Sequence, residues 1–228
     1  LFLWGERSAK LFNNKKNINQ VGNILYDDFY NKKSIDKLNS NVLSKLGLDI
    51  NKKTILITAQ CLKDNFEDNL INWYEEIISS LSNYNFIIKT HPRDDVKSFK
   101  ILKKFNNSKI ISNNESYTLL NLLKLSDLNI SHFSASSLDA LAYGVPVIIL
   151  PSSVFKNNYQ NINYWFDDSV FQKSSSVKDC IDLIVKTLSS SKDIEYQKIR
   201  KKYLTDMFTQ EIGRSKKIII TELQNLIN

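Results

Sequence analysis

Residues 127–150 read DLNISHFSASSLDALAYGVPVIIL, and the order of residue types in this stretch decides the fold. Asp127 to Ser131 is a short strand. Small hydroxyl residues then open a helix over Ser134 to Tyr143. Gly144 stands just past its end, where left-handed backbone favours glycine. Val145 to Leu150 is a second strand, with Pro146 near its start, where the missing N–H is tolerated. Working outward, the same alternation recurs. Thr54 to Thr58 is a buried strand, and Asp68 to Ser80 carries Leu70, Trp73, Ile77 and Leu81 at helical spacing. Asn85 to Lys89 is a strand stopped by His91-Pro92, and Val96 to Phe105 is a helix. Ser108 to Ser112 is a strand and Ser116 to Leu125 a Leu-rich helix. Helices over Val177 to Leu188, 193–207 and 209–227 close the chain. Strands that are unbroken apolar runs, alternating with helices, predict a Rossmann-like α/β fold: a parallel sheet with helices on both faces. In residues 1–50, Leu1 to Trp4 is read as a strand feeding a helix over Glu6 to Phe12. Gln20 to Ile24 is read as a second strand, and both are expected to join the same sheet.

The chain of 228 residues allows one large domain or two small ones, with a core that needs neither disulfides nor metals. At 42% hydrophobic and 24% charged residues, the composition excludes intrinsic disorder. No apolar run is long enough for a transmembrane helix. The net charge of +7 does not point to nucleic acid: of the 31 basic residues only four are Arg, and the Lys are scattered. Cys61 and Cys180 lie far apart and, with His91 and His132, complete no zinc site, so both read as reduced, buried thiols of a cytoplasmic protein. The adjacent acids Asp27-Asp28, Asp94-Asp95 and Asp167-Asp168 diverge on any regular element and read as surface acids or helix starts.

In an open parallel sheet, ligands bind beyond the carboxyl ends of the strands, where the strand order reverses. Two loops there carry chemistry. In Lys89-Thr90-His91-Pro92-Arg93, Pro92 biases His91 to extended backbone, and the imidazole can bond a phosphate or protonate a leaving group. In the stretch opening the 134–143 helix, Ser134, Ser136 and Ser137 lie within four positions. One serine satisfies a cap. Three, added to the free N–H groups and partial positive charge of a helix start, describe an anion cradle. Walker A, GxGxxG, GxSxG and HExxH motifs are missing, and the spacing of Ser136, His91 and Asp139 supports no hydrolase triad.

A strand ending in Lys-x-His-Pro, then about 45 residues on a Ser-Ser helix start followed by Leu-x-Ala-x-x-x-Gly-x-Pro-Val, resembles the C-terminal, nucleotide-sugar-binding domain of GT-B glycosyltransferases. It is similar to bacterial surface-polysaccharide enzymes with HP and SS motifs: sialyltransferases and polysialyltransferases, capsule polymerases, and the CDP-glycerol transferases of teichoic acid synthesis. The likeness covers residues 54–188. UDP-N-acetylglucosamine 2-epimerases share the Ala-x-x-x-Gly-x-Pro-Val pattern and provide an alternative reading; a non-catalytic nucleotide-binding module is another.

The resemblance implies that His91, with Pro92, contacts the donor phosphate and acts as general acid toward the departing nucleotide. Ser134, Ser136 and Ser137 bind the same phosphate. Thr58 and Gln60 follow the first central strand and meet phosphate or sugar, while Asn114 and Glu115 lie in the loop that faces the base. Pro151-Ser152-Ser153 is placed on the sugar side. The cluster Tyr159, Tyr164, Trp165 and Phe166 reads as packing. The resemblance also implies a nucleotide sugar, CMP- or CDP-linked in preference to UDP-linked, as substrate, a carbohydrate acceptor, and neither cofactor nor metal. On this reading residues 1–228 form one donor-binding domain: an N-terminal segment 1–50, a core 54–188 and C-terminal helices 193–228. The acceptor domain that carries the catalytic base is missing, and any membrane association is peripheral, at the inner face.

Overall fold

In a computed structural model, residues 2–3, 5, 18–27, 40–59, 70–112, 116–132, 134–150, 169–189, 194–208 and 213–227 are described. Chain contacts gather them into two compact units, Ile35–Ser191 and Leu1–Ser34 with Lys192–Asn228.

The larger unit is built on six parallel strands: β3 (Thr54–Thr58), β4 (Asn85–Lys89), β5 (Ser108–Ile111), β6 (Leu128–Ser131), β7 (Val147–Ile149) and β8 (Gln172–Lys173). Their order across the sheet is β5-β4-β3-β6-β7-β8. From β3 the chain steps outward to β4 and β5, returns to β6 on the other side of β3, and continues to β7 and β8. The reversal therefore lies between β3 and β6, where Ile57 pairs with Ile130 and Thr58 with Ser131. This is the Rossmann-like fold expected. Two short elements were not anticipated, the edge strand β8 and helix α1 (Ser40–Lys45). Both are shorter than the periodicity that identifies an element.

Every residue of β3 and β6 is buried, which explains their lack of apolar–polar alternation: a strand covered on both faces has no solvent side. Side chains of a strand alternate between faces. On one face Ile55, Ile57, Phe86, Ile88, Leu128, Ile130 and Ile148 meet three helical segments. These are α2 (Leu70–Ser80) through Tyr74, Ile77 and Ile78, the 3-10 helix Val96–Lys104 through Phe99 and Leu102, and α5 (Val177–Ser189) through Cys180 and Ile184. The segment 96–104 is helical as expected but 3-10 in type, capped by the Asp95 carboxylate, which accepts from the Lys97 N–H at 2.9 Å. Between β5 and β7 run α3 (Leu119–Lys124) and α4 (Ala135–Tyr143). Gly144 ends α4 with φ 96°, the left-handed cap the sequence predicts. Cys180 is fully buried, and burial pushes its thiol up to about 12; Cys61 lies outside the described residues.

The smaller unit corrects one expectation. The N-terminal segment does not join the six-stranded sheet: β1 (Phe2–Leu3) and β2 (Asn19–Gln20) pair with each other as a separate two-stranded parallel ribbon. The second strand, expected over Gln20 to Ile24, is observed only at Asn19–Gln20, and Ile24 opens a 3-10 turn, Ile24–Tyr26. The physical reason is attachment to the chain's other end. A Cβ on Gly5 would stand 2.6 Å from the Met207 carbonyl oxygen in α6 (Ile194–Phe208), so only glycine allows that approach. The buried Asp27 carboxylate accepts from the Ser215 N–H (3.0 Å) and the Lys216 N–H (2.7 Å), capping α7 (Ser215–Ile227). No helix among the described residues is long and apolar enough to cross a membrane.

Candidate functional site

The carboxyl ends of β3 and β4 are pinned first. The Ala59 N–H donates to the Lys89 carbonyl (3.0 Å), the Thr90 N–H to the Ile111 carbonyl (3.0 Å), and Lys89 Nζ to the Ser112 carbonyl (2.9 Å). A cavity of about 580 Å³ opens above these strand ends. That is within the range of small-molecule sites, roughly 300–1,000 Å³. Its wall is made by Thr58 and Ala59 at the end of β3, Lys89 to Pro92 at the end of β4, Ser116 to Leu119 before and at the start of α3, and Ser136.

The Ser-rich helix start is built from β6 upward. Ser134 caps α4 in extended conformation, its Oγ accepting from the Ser136 N–H at 3.3 Å. Ser136 Oγ lies 3.1 Å from Thr58 Oγ1, 3.0 Å from Ser134 Oγ and 3.4 Å from Ser131 Oγ. A hydroxyl has one proton, so Ser136 donates to one of these at a time and retains acceptor capacity. Thr58 is held from below, where Asn129 Nδ2 donates to it at 3.4 Å and to the Leu56 carbonyl at 3.1 Å. The result is a hydroxyl cluster at the strand-order reversal and the first turn of α4, the sort of place where backbone and side-chain donors hold anions.

Ser137 is placed differently from its neighbours. It is fully buried, and its hydroxyl donates to the His132 carbonyl at 3.1 Å. Its backbone N–H donates to the Ser134 carbonyl at 3.0 Å. Both groups are thus used inside the turn. His91 is half-buried on the cavity wall, and its Nδ1 accepts from the Arg93 N–H at 3.2 Å. That bond leaves the proton of the neutral ring on Nε2, as a donor. Of the residues picked out by sequence, Thr58, His91, Pro92 and Ser136 share one cavity, and Ser134 touches it through Ser136. Gln60, Asn114, Glu115, Pro151 to Ser153 and the aromatic cluster 159–166 lie outside the described residues.

The wall Ser116 to Leu119 was not anticipated as a site. Its signal was the Thr118-x-x-Asn121 capping box, in which Thr118 Oγ1 accepts from the Asn121 N–H (3.2 Å) and Asn121 Oδ1 from the Thr118 N–H (3.2 Å). Reading that box starts the helix at 119 and leaves Ser116 and Tyr117 as loop over the cavity. His132 is not in the cavity. It is fully buried, its Nε2 is 3.0 Å from Tyr74 Oη, and burial lowers its pKa to about 4. Among the described residues no three His, Cys, Asp or Glu gather closely enough to hold a metal ion.

No family model and no curated protein matches the chain. Solved structures do. The wall teichoic acid polymerase TagF, in a variant soaked with CDPG, superposes with TM-score 0.58 at 18% identity, over 100% of this chain and 57% of that one. The UDP-GlcNAc 2-epimerase from Neisseria meningitidis bound to UDP-GlcNAc gives TM-score 0.58 at 21% identity, over 91% and 55%. The S. aureus MnaA–UDP structure gives 0.64 at 13% identity, over 96% and 57%. The chain thus spans between half and two-thirds of the length of these proteins. At such identities the likeness is one of fold: the larger unit has the Rossmann-like architecture of one half of a GT-B protein.

Proposed function

We propose that the cavity binds the nucleotide phosphate part of an activated sugar or polyol, and that the protein of which this chain is the donor-binding part is a GT-B glycosyltransferase. The observation carrying this reading is the convergence of Thr58, Ser136 and His91 on one cavity at the strand-order reversal, from three separate strand ends. Phosphate oxygens fit the hydroxyl cluster and the first turn of α4. With Nδ1 accepting from the Arg93 N–H, the neutral His91 ring donates a hydrogen bond to the same anion through Nε2–H; to deliver a proton to the leaving phosphate the ring first takes one up at Nδ1 and gives up that bond. In such a transfer the sugar centre becomes cation-like as negative charge builds on the phosphate, so donors fixed at that phosphate act on the transition state more than on the ground state. Tyr117 and Leu119 offer an apolar wall for the base. The similar structures were determined with CDPG, UDP-GlcNAc and UDP. The resemblance of the HP and SS motifs to those of CMP- and CDP-using transferases is what favours a cytidine base.

The epimerase reading calls for a second histidine in the cleft. His132, the other histidine of this chain, is buried against Tyr74 outside the cavity and is not that group. Calorimetric titration with CMP, CDP and UDP tests the proposal. One nucleotide is expected to bind in preference to the others and to be weakened by both His91→Ala and Ser136→Ala. A folded protein that binds none of the three removes the proposal.

A further inference from the structure

The cradle residues Thr58 and Ser136 sit on one face of the sheet, and a second polar contact lies on the other face directly behind them. Ile57 and Ile130 point into the cluster that contains Tyr74 of α2, while Thr58 and Ser131 point the opposite way, toward Ser136. His132 continues the side of Ile130. Its ring meets Tyr74 with Nε2 3.0 Å from Oη, ring centroids 6.2 Å apart, both residues being fully buried. The same residue is held a second time through its backbone, where its carbonyl accepts from Ser137 Oγ at 3.1 Å. The residue before it is also fixed, the Ser131 carbonyl accepting from the Leu150 N–H at 2.8 Å.

We propose that Tyr74 and His132 are positioning residues for the anion cradle: their buried hydrogen bond ties the helix that follows β3 to the turn that follows β6, and so sets Ser136 against Thr58. This rests on the nucleotide-binding reading of the cavity. An imidazole in this place is a costly choice if packing were all it supplied, because a buried polar ring loses its hydration and a Leu or Phe does not. What it adds is direction. An apolar side chain leaves the turn free to rotate by small amounts, whereas a hydrogen bond to a fixed hydroxyl defines one orientation. Burial keeps the ring neutral, so one nitrogen remains able to accept and the other to donate. The carbonyl of that same residue orients Ser137, whose neighbour in the helix is Ser136. Tyr74 thereby acts on bound anion without touching it.

The test measures CDP affinity by calorimetry and unfolding by urea in the intact chain and in Tyr74→Phe, Ser136→Ala and their double variant. Tyr74→Phe removes one oxygen and leaves the ring. It is expected to weaken CDP binding about fivefold where Ser136 is present, and to have no further effect on affinity in the Ser136→Ala background. His132→Gln, which keeps an amide near the Nε2 position, is expected to bind CDP more tightly than His132→Leu. Amide hydrogen exchange without nucleotide is expected to speed up across 134–137 in Tyr74→Phe. A role in stability alone shows the opposite pattern: a lower urea midpoint with CDP affinity unchanged, or the same loss of affinity in both backgrounds. Either result overturns the positioning role while leaving the nucleotide site intact. Absence of CDP, CMP and UDP binding to the parent chain sinks the nucleotide reading and this role with it.

Discussion

Two loops at the same end of the sheet reach the same cavity, and they are built in opposite ways. The turn after β6 is closed. Ser131, His132 and Ser137 are fully or almost fully buried, and every hydroxyl from Ser131 to Ser137 has a partner within the larger unit. The loop after β4 is open. Pro92 and Arg93 are exposed, His91 is half-buried, and its ring is steadied by a single backbone N–H at 3.2 Å. On the function proposed above, the difference separates two tasks. A cradle for a fixed charge gains from being set before the ligand arrives, since nothing then has to reorganise. A proton donor has to follow a leaving group, and a half-exposed ring on a proline-stiffened loop can do so. The contrast is chemical as well as mechanical: the closed turn has hydroxyls and N–H groups that keep their protons, and the open loop has the imidazole.

The largest effect expected is on turnover. If the complete protein is the proposed transferase, His91→Ala should lower its kcat by roughly 10²–10⁴-fold, the usual range for a general acid, and weaken nucleotide binding far less. An equal loss in both would make His91 a simple binding group and abolish the division of tasks. Ser136→Ala should act the other way round. Deleting a hydroxyl that meets a charged ligand costs about 1.5–3 kcal/mol, or roughly ten- to a hundredfold in nucleotide affinity. The urea midpoint should scarcely move, because Ser134 still caps α4.

Acid should also distinguish the closed turn. The pKa of His132 is lowered by burial from 6.5 to about 4 in the folded protein. Between those values the unfolded chain binds a proton that the folded chain refuses, so stability is complete above pH 6.5 and is lost as the pH falls. The loss should reach roughly 2 kcal/mol by pH 5. Urea titrations at pH 7 and pH 5 measure it, and His132→Gln should flatten the difference. A pH dependence that survives this substitution has another source.

The same contrast governs how much could be read from the sequence. The strand–helix–strand reading of 127–150 was legible because α4 has its own signals at both ends, a serine cap and a left-handed glycine. His91-Pro92 was legible because a proline at the end of an apolar run has no N–H to give the ladder and stops the strand there. The wall from Ser116 to Leu119 and the engagement of Ser137 were not. A serine in a run of serines has no local signal for whether its hydroxyl faces a cavity or a carbonyl behind it. The carbonyl that takes up Ser137 belongs to a turn whose place is set by Tyr74, 58 positions away from His132. That the N-terminal strands form a sheet of their own was not legible for a related reason. Asp27 reads as a surface acid or a helix start, and its partners, the first amides of α7, are nearly 190 residues further on.

The smallest effect isolates the far end of the helix that carries the cradle. Gly144 ends α4 at φ 96°, and its N–H donates to the Leu141 carbonyl at 3.1 Å. Alanine at such a backbone angle costs about 1 kcal/mol, because its Cβ crowds the neighbouring carbonyl. For a chain of this size that lowers Tm by roughly 2–4 °C. Yet the cradle is fixed at the opposite end of α4, by Ser134, by the Ser137–His132 bond and by Thr58. Gly144→Ala should therefore lower Tm and leave nucleotide affinity within about twofold. If affinity falls in step with Tm, the turn after β6 is held by the helix as a whole and not by its own hydrogen bonds, and the distinction between a closed cradle and an open arm loses its basis.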